Sequence, residues 1–92
     1  MLKTKEEIKG KIWAESEWIQ FILIEEKPRT KVFMVWSKSS DCELGRIKWY
    51  PSWRHYCFFP ENETMYSDRC LLKIGNFLLM LNKSHKILNN ER

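Results

Sequence analysis

The chain has 92 residues, which is enough for one domain with one hydrophobic core. Its formal net charge is +4, from sixteen Lys and Arg against twelve Asp and Glu. This balance permits an anionic partner such as a nucleotide, a nucleic acid or an acidic protein surface. It falls short of the strongly basic composition of a dedicated duplex-DNA binder.

Cysteine content and apolar runs indicate the compartment. Cys42, Cys57 and Cys70 form an odd set without regular spacing, which predicts reduced thiols rather than a secreted disulfide framework. Residues 1–7 are charged and no apolar run follows them, so no signal peptide is predicted. No stretch approaches the ~20 apolar residues of a membrane span. We therefore expect a cytoplasmic protein that does not contact a membrane.

The first sixteen residues leave two structures open. Ile8 and Ile12 are four positions apart, as on one face of a short helix, but Gly10 disfavours a helix. The same three residues also alternate as in a short strand. We expect an arm of one kind or the other, or a flexible segment, in front of the domain.

Four strands are predicted between residues 18 and 59, because these segments are rich in β-branched and aromatic residues. In chain order they are 18–26, 30–37, 44–50 and 53–59. Pro28 lies between the first two, where it fits a hairpin turn. In the third strand, alternation directs Ile47 and Trp49 to one face and Arg46 and Lys48 to the other.

A helix is predicted over residues 68–82, with Ser67 as its N-cap. Its apolar stripe consists of Leu71, Ile74, Leu78 and Leu81. Gly75 lies beside this stripe, where the missing side chain would let the helix approach the sheet closely. Residues 83–92 are mostly polar and are predicted to fray.

The predicted fold is therefore α+β, a four-stranded, largely antiparallel sheet with one C-terminal helix on one face, in a single domain spanning 1–92. The other face would be left to solvent unless the N-terminal segment or a second subunit covers it. Aromatic residues such as Trp36, Trp49 and Tyr56 occur at both strand parities. A large exposed aromatic surface is typical of an interface, so we expect a homodimer or higher homo-oligomer.

The segment around the third turn combines basic and aromatic residues, as ligand-binding surfaces often do. Arginine forms bidentate bonds to phosphate or carboxylate, and aromatic rings stack on nucleobases. The predicted ligand-binding residues are Arg46, Lys48, Trp53, Arg54, His55 and Tyr56. The alternative is that Trp49 and Trp53 belong to the core and that the aliphatic stem of Arg54 covers them.

Metal binding and catalysis are not predicted. The cysteines and the two histidines, His55 and His85, include no Cys-x-x-Cys pair and no tight His spacing. Side chains two apart on a strand, such as His55 and Cys57, lie about 6–7 Å apart, too far for a direct bond. No glycine-rich phosphate loop is present. We predict a non-enzymatic protein without a cofactor; a small enzyme using Cys57 is the outlying hypothesis.

The segment from Leu44 to Pro60, LGRIKWYPSWRHYCFFP, resembles a group of small, mostly uncharacterised proteins of bacteriophages, prophages and bacteria. Their shared pattern is an LGxIKWY strand, then WRxYxFxP, then a helix that begins here at Cys70-Leu71. The resemblance extends from about Trp18 to Asn82. It implies a phage or mobile-element context, in which proteins of this size often bind host proteins, signalling nucleotides or nucleic acid.

The leading hypothesis is a phage-type counter-defence or host-takeover inhibitor. It would bind either an anionic nucleotide signal or a host defence protein in the bacterial cytoplasm. The alternative is a nucleic-acid-binding module, whose affinity should fall steeply with salt. A third hypothesis is a scaffold whose aromatic face serves only its own dimer.

Overall fold

The structure is a computed structural model that describes residues 10–89. These residues form β1 (Lys11–Glu15), β2 (Ile19–Glu26), β3 (Lys31–Ser37), β4 (Cys42–Tyr50), β5 (His55–Pro60) and α1 (Asp68–Asn89). Each strand pairs antiparallel with its neighbours in the chain, so the sheet is a meander in the order β1-β2-β3-β4-β5. The α+β fold is confirmed, with five strands where four were predicted.

The fifth strand comes from the segment whose structure the sequence left open. Residues 11–15 form β1 along β2, with a bulge between Ile12 and Ala14. The bulged residue, Trp13, contacts Phe33 edge-on, with ring centroids 5.0 Å apart. Ile8 and the rest of residues 1–9 lie outside the described residues.

The helix α1 covers one face of the sheet, and the main core lies between them. Phe77 is its central contact: its ring stacks on Phe21 at 4.1 Å and meets Phe33 edge-on at 5.1 Å. The predicted stripe is confirmed for Ile74, Leu78 and Leu81, which are buried or half-buried in this core. It is wrong at Leu71, which is 54% exposed because it turns away from the sheet.

The sequence predicted the start of α1 correctly but not its end. Ser67 is the N-cap, since its hydroxyl accepts a hydrogen bond from Cys70 N at 3.2 Å. The predicted end at Asn82 is wrong, because the helix continues to Asn89. Residues 83–89 are therefore helical rather than frayed, and 90–92 lie outside the described residues.

Two contacts explain why α1 continues past residue 82. The Asn82 amide pairs with the main chain of the edge strand β5: Tyr56 N donates to Oδ1 at 2.7 Å, and Nδ2 donates to Tyr56 O at 3.4 Å. One turn on, the His85 ring lies 4.3 Å from the Trp49 ring. Gly75, predicted to approach the sheet, does not: a Cβ there would meet no atom within 4 Å.

The face of the sheet opposite α1 has its own small apolar cluster. Ile22, Met34 and Trp36 are 3%, 3% and 1% exposed, so the centre of this face is not left to solvent. Gly10 lies against its edge, where a Cβ would come within 2.8 Å of Ile22 Cγ2 and 3.2 Å of Ile24 Cγ2. The close approach of the chain, rather than a helix break, accounts for this glycine.

Two tyrosine hydroxyls make the fold sensitive to alkali. Burial raises the pKa of Tyr56 and of Tyr66 above the ordinary 10.0. Tyr56 Oη accepts from Lys31 N at 3.0 Å, and Tyr66 Oη donates to Leu44 O at 2.6 Å. Because the folded pKa values are raised, this contribution to stability is complete below pH 10.0 and is lost as the pH rises through them.

We therefore expect the free energy of unfolding to fall above pH 10.0, and to fall less steeply in the Tyr56→Phe and Tyr66→Phe variants. Denaturant titrations followed by tryptophan fluorescence, from neutral to alkaline pH, measure this slope. Identical slopes in the wild type and both variants would show that neither hydroxyl is the cause.

Candidate functional site

The half of the sheet that is formed by β4 and β5 carries basic and aromatic side chains on the face opposite α1. Cross-strand pairing places Arg46 opposite Phe59, Lys48 opposite Cys57 and Tyr50 opposite His55. Together with Trp53 from the connecting turn, these side chains form what we call the β4–β5 patch. Its members are Arg46, Lys48, Tyr50, Trp53, His55, Cys57 and Phe59.

The β4–β5 turn exposes Trp53. Tyr50 O accepts hydrogen bonds from Trp53 N at 3.2 Å and from Arg54 N at 2.9 Å, which closes a tight four-residue connection. Arg54 closes it in the left-handed region, with φ 56°. The Trp53 side chain is 70% exposed and meets the Tyr50 ring edge-on, with centroids 5.3 Å apart. An accessible indole is thus supported from one side by a second ring.

The cations of the β4–β5 patch differ in how free they are. Lys48 Nζ lies 4.7 Å from the centroid of the Phe59 ring, a cation–π contact that leaves the ammonium donors available. Arg46 Nε is 3.0 Å from Glu43 Oε2, so this arginine is already partly compensated. Lys48 is consequently the better anchor for an anion.

His55 is exposed and its ring is oriented by the main chain. Nδ1 lies 2.9 Å from Trp53 O, and since a carbonyl only accepts, Nδ1 carries a proton in this contact. Nε2 is then the ring atom left for another partner. The main chain of the turn therefore orients the His55 ring.

The structure brings together five of the six predicted ligand-binding residues. Arg46, Lys48, Trp53 and His55 belong to the β4–β5 patch, and Arg54 is exposed in its turn. Tyr56 does not join them: it is 5% exposed, on the α1 side of the sheet, and its ring packs against Trp49. Strand alternation separates Tyr56 from its neighbour His55.

Two aromatic members of the β4–β5 patch were missing from the predicted set. Tyr50 and Phe59 are half-buried, and their rings contact each other edge-on at 6.1 Å. The alternation that puts His55 and Phe59 on one face was the available signal. The alternative in which two tryptophans are core holds for Trp49, which packs against the main core, and not for Trp53.

The cysteines and histidines do not converge in the described part of the chain. Residues 10–89 contain no group of three or more His, Cys, Asp or Glu side chains placed to hold a metal ion. Cys57 Sγ contacts the main-chain oxygen of His55 at 3.9 Å. Cys42, Cys57 and Cys70 are free thiols. The absence of enzymatic activity stays a prediction.

A separate cleft of about 600 Å³ lies at the other end of the sheet, between the β3–β4 turn and the start of α1. Its lining includes Trp18, Met65 and Arg69. Two serine hydroxyls here already accept main-chain bonds, Ser37 from Ser40 N and Ser67 from Cys70 N. Nothing in the cleft singles out a ligand.

Comparison with known protein families, with characterised proteins and with solved structures finds no significant match. The resemblance based on the central motif therefore stays a prediction, and the functional argument depends on the geometry of the β4–β5 patch. Along residues 10–89, no helix is both long enough and apolar enough to cross a membrane.

Proposed function

We propose that the chain is a non-catalytic binding protein whose β4–β5 patch binds a nucleotide, either free or within a single-stranded nucleic acid. The observation that carries the proposal is the Trp53 indole, 70% exposed at the tip of a tight turn and backed by Tyr50. A ring held in this way can stack on a base, a contact worth about 1–3 kcal/mol.

The charges around the ring favour a phosphorylated ligand. Lys48 supplies an ammonium whose donors are available, and Arg54 supplies an exposed guanidinium in the same turn. Cations beside a stacking ring are the combination that contacts the phosphate and the base of one nucleotide together. An acidic protein surface would use the cations but would leave the exposed indole without a comparable partner.

The test is a binding titration of labelled single-stranded oligonucleotides and of free nucleotides, at low and raised salt. We expect Trp53→Ala to weaken binding about tenfold or more, because a stacking contact is lost. Lys48→Ala should weaken binding and lower the salt slope by about one.

Matched controls are available elsewhere in the fold. Trp18 is 41% exposed at the opposite end of the sheet, and Lys73 is exposed on α1. Trp18→Ala and Lys73→Ala repeat the two chemical changes away from the β4–β5 patch and should leave affinity unchanged.

The proposal fails if neither ligand binds at low salt, or if Trp18→Ala weakens binding as much as Trp53→Ala. Saturation by free nucleotides would favour a signalling ligand, and binding of oligonucleotides alone would favour the nucleic-acid module.

The resemblance to small phage and prophage proteins extends the proposal to a biological role. In a counter-defence or host-takeover inhibitor, the ligand would be a nucleotide signal of the host or a host defence protein in the bacterial cytoplasm. Self-association into a homodimer is part of the same proposal. Native mass spectrometry of protein purified from infected cells would report the subunit number and any nucleotide or host protein that co-purifies.

A further inference from the structure

The outward side of α1 carries large apolar side chains that the fold does not bury. Leu71, Leu72, Leu79 and Met80 are 54%, 64%, 69% and 46% exposed. A helix on the surface of a domain usually places polar residues at these outward positions. Leu72 and Leu79 lie on one line along the helix, and Leu71 and Met80 flank that line on opposite sides. An exposed apolar stripe of this kind typically marks an interaction surface. The site is distinct from the β4–β5 patch, which lies on the other side of the sheet.

The pattern along this side is symmetric about its own centre. Leu72 and Leu79 lie three residues before and four residues after residue 75, on the same line along the helix. Four residues beyond each leucine lies a charge, Asp68 at the start and Lys83 toward the end. Reversing the helix end for end therefore exchanges leucine with leucine and an acidic residue with a basic one.

We propose that α1 pairs antiparallel with α1 of a second copy of this chain. A two-fold interface requires a surface that is complementary to itself when rotated, and the outward stripe of α1 meets this condition. In the pair, Leu72 packs against the partner's Leu79, and Leu71 and Met80 flank this contact on opposite sides. Asp68 faces the partner's Lys83 at both ends of the interface. The occupant that matches this arrangement of charge is another copy of the same helix.

Gly75 lies near the two-fold axis of this arrangement. A Cβ added there meets no atom within 4 Å, so the fold of the single chain does not need a glycine at this position. A glycine where two helices cross lets their backbones approach closely, and it otherwise lowers helix stability. Close packing of two helices therefore explains why position 75 is a glycine, whereas the single chain does not require one.

The dimer is expected to have a small interface and to carry two ligand-binding patches. One helix face supplies less than the roughly 1,200–2,000 Å² buried in stable complexes, so monomer and dimer should exchange with concentration. Because α1 and the β4–β5 patch lie on opposite sides of the sheet, the dimer would present two patches outward. A ligand with two nucleotides far enough apart would then bind with avidity.

Charge exchange tests the antiparallel register by sedimentation velocity across a range of protein concentrations. Asp68→Lys alone, or Lys83→Asp alone, places like charges at both ends and should weaken the dimer roughly tenfold. An equimolar mixture of the two variants restores opposite charges at both ends and should associate again. Failure of the mixture to associate more strongly than either variant overturns the register.

Gly75→Leu tests the close crossing separately from folding. The variant should sediment as a monomer. Its thermal unfolding in dilute protein should be unchanged or shift upward, because a glycine is removed from the helix and a Cβ there meets open space in the single chain. Met65→Gln, which removes an 89% exposed apolar side chain outside the helix, should leave the dimer intact. A wild-type chain that stays monomeric at every concentration, or a dimer that Gly75→Leu does not weaken, overturns the proposal.

Discussion

Phe77→Ala is expected to lower the free energy of unfolding by about 3–5 kcal/mol. Phe77 is 6% exposed and contacts both β2 and β3, through Phe21 at 4.1 Å and Phe33 at 5.1 Å. Its removal leaves a cavity at the centre of the core that the two remaining rings fill only partly. Domains of this size are stable by roughly 5–15 kcal/mol, so the variant should be at the margin of folding.

Urea unfolding followed by circular dichroism measures the loss. The control is Leu79→Ala on the same helix, 69% exposed, which should change stability by no more than about 0.5 kcal/mol in dilute protein. A loss below about 1 kcal/mol in Phe77→Ala would mean that α1 is held to the sheet by other contacts.

The strands could be predicted where the pattern was local. Alternation in β4 and β5 depends only on neighbouring residues, and it correctly separated Ile47 and Trp49 from Lys48. Which of the two faces α1 covers is a long-range property, and the alternation does not predict it. In β1 the bulge between Ile12 and Ala14 interrupts the alternation, and the strand exists through its pairing with β2. Pairing between strands is not encoded in the short segment itself, so the sequence left β1 open.

The helix could be predicted in position but not in orientation. The 3.6-residue period is satisfied by Leu71 with Ile74 and equally by Ile74 with Phe77. How the helix is rotated when it packs on the sheet decides whether Leu71 or Phe77 is buried. The end at residue 82 was wrong because an asparagine can end a helix or, as here, bind a neighbouring strand with its amide.

The candidate site was selected by residue type, and this accounts for both its success and its error. Basic and aromatic residues in the β4–β5 turn are exposed because connecting loops run over the protein surface. Tyr56 was included for its chemistry, although alternation directs it to the other face of the strand from His55. Its hydroxyl accepts a hydrogen bond from Lys31 N. Phe59 was omitted although the same alternation places it beside Lys48.

Gly45→Ala should also be strongly destabilising, by about 1–3 kcal/mol, for a reason that involves the site. Gly45 lies in β4 opposite Pro60. A Cβ at this position would come within 2.5 Å of Phe59 O and 2.8 Å of the Phe58 ring. The first neighbour is backbone, so relief requires that β5 move away from β4.

Such a shift would separate Lys48 from Phe59, whose contact at 4.7 Å is part of the β4–β5 patch. The variant should therefore lose affinity for nucleotides even under conditions where it remains folded.

Gly75→Ala is the matched control, since the same added methyl group meets open space and the substitution removes a glycine from a helix. In dilute protein, where the chain is a monomer, it should raise stability by up to about 1 kcal/mol and leave the affinity of the patch unchanged. Thermal unfolding and the nucleotide titration, performed on both variants, distinguish a local clash from a general intolerance of alanine. Equal stability of the two variants would mean that β4 and β5 can separate at Gly45 without cost, and that the patch does not depend on their close pairing.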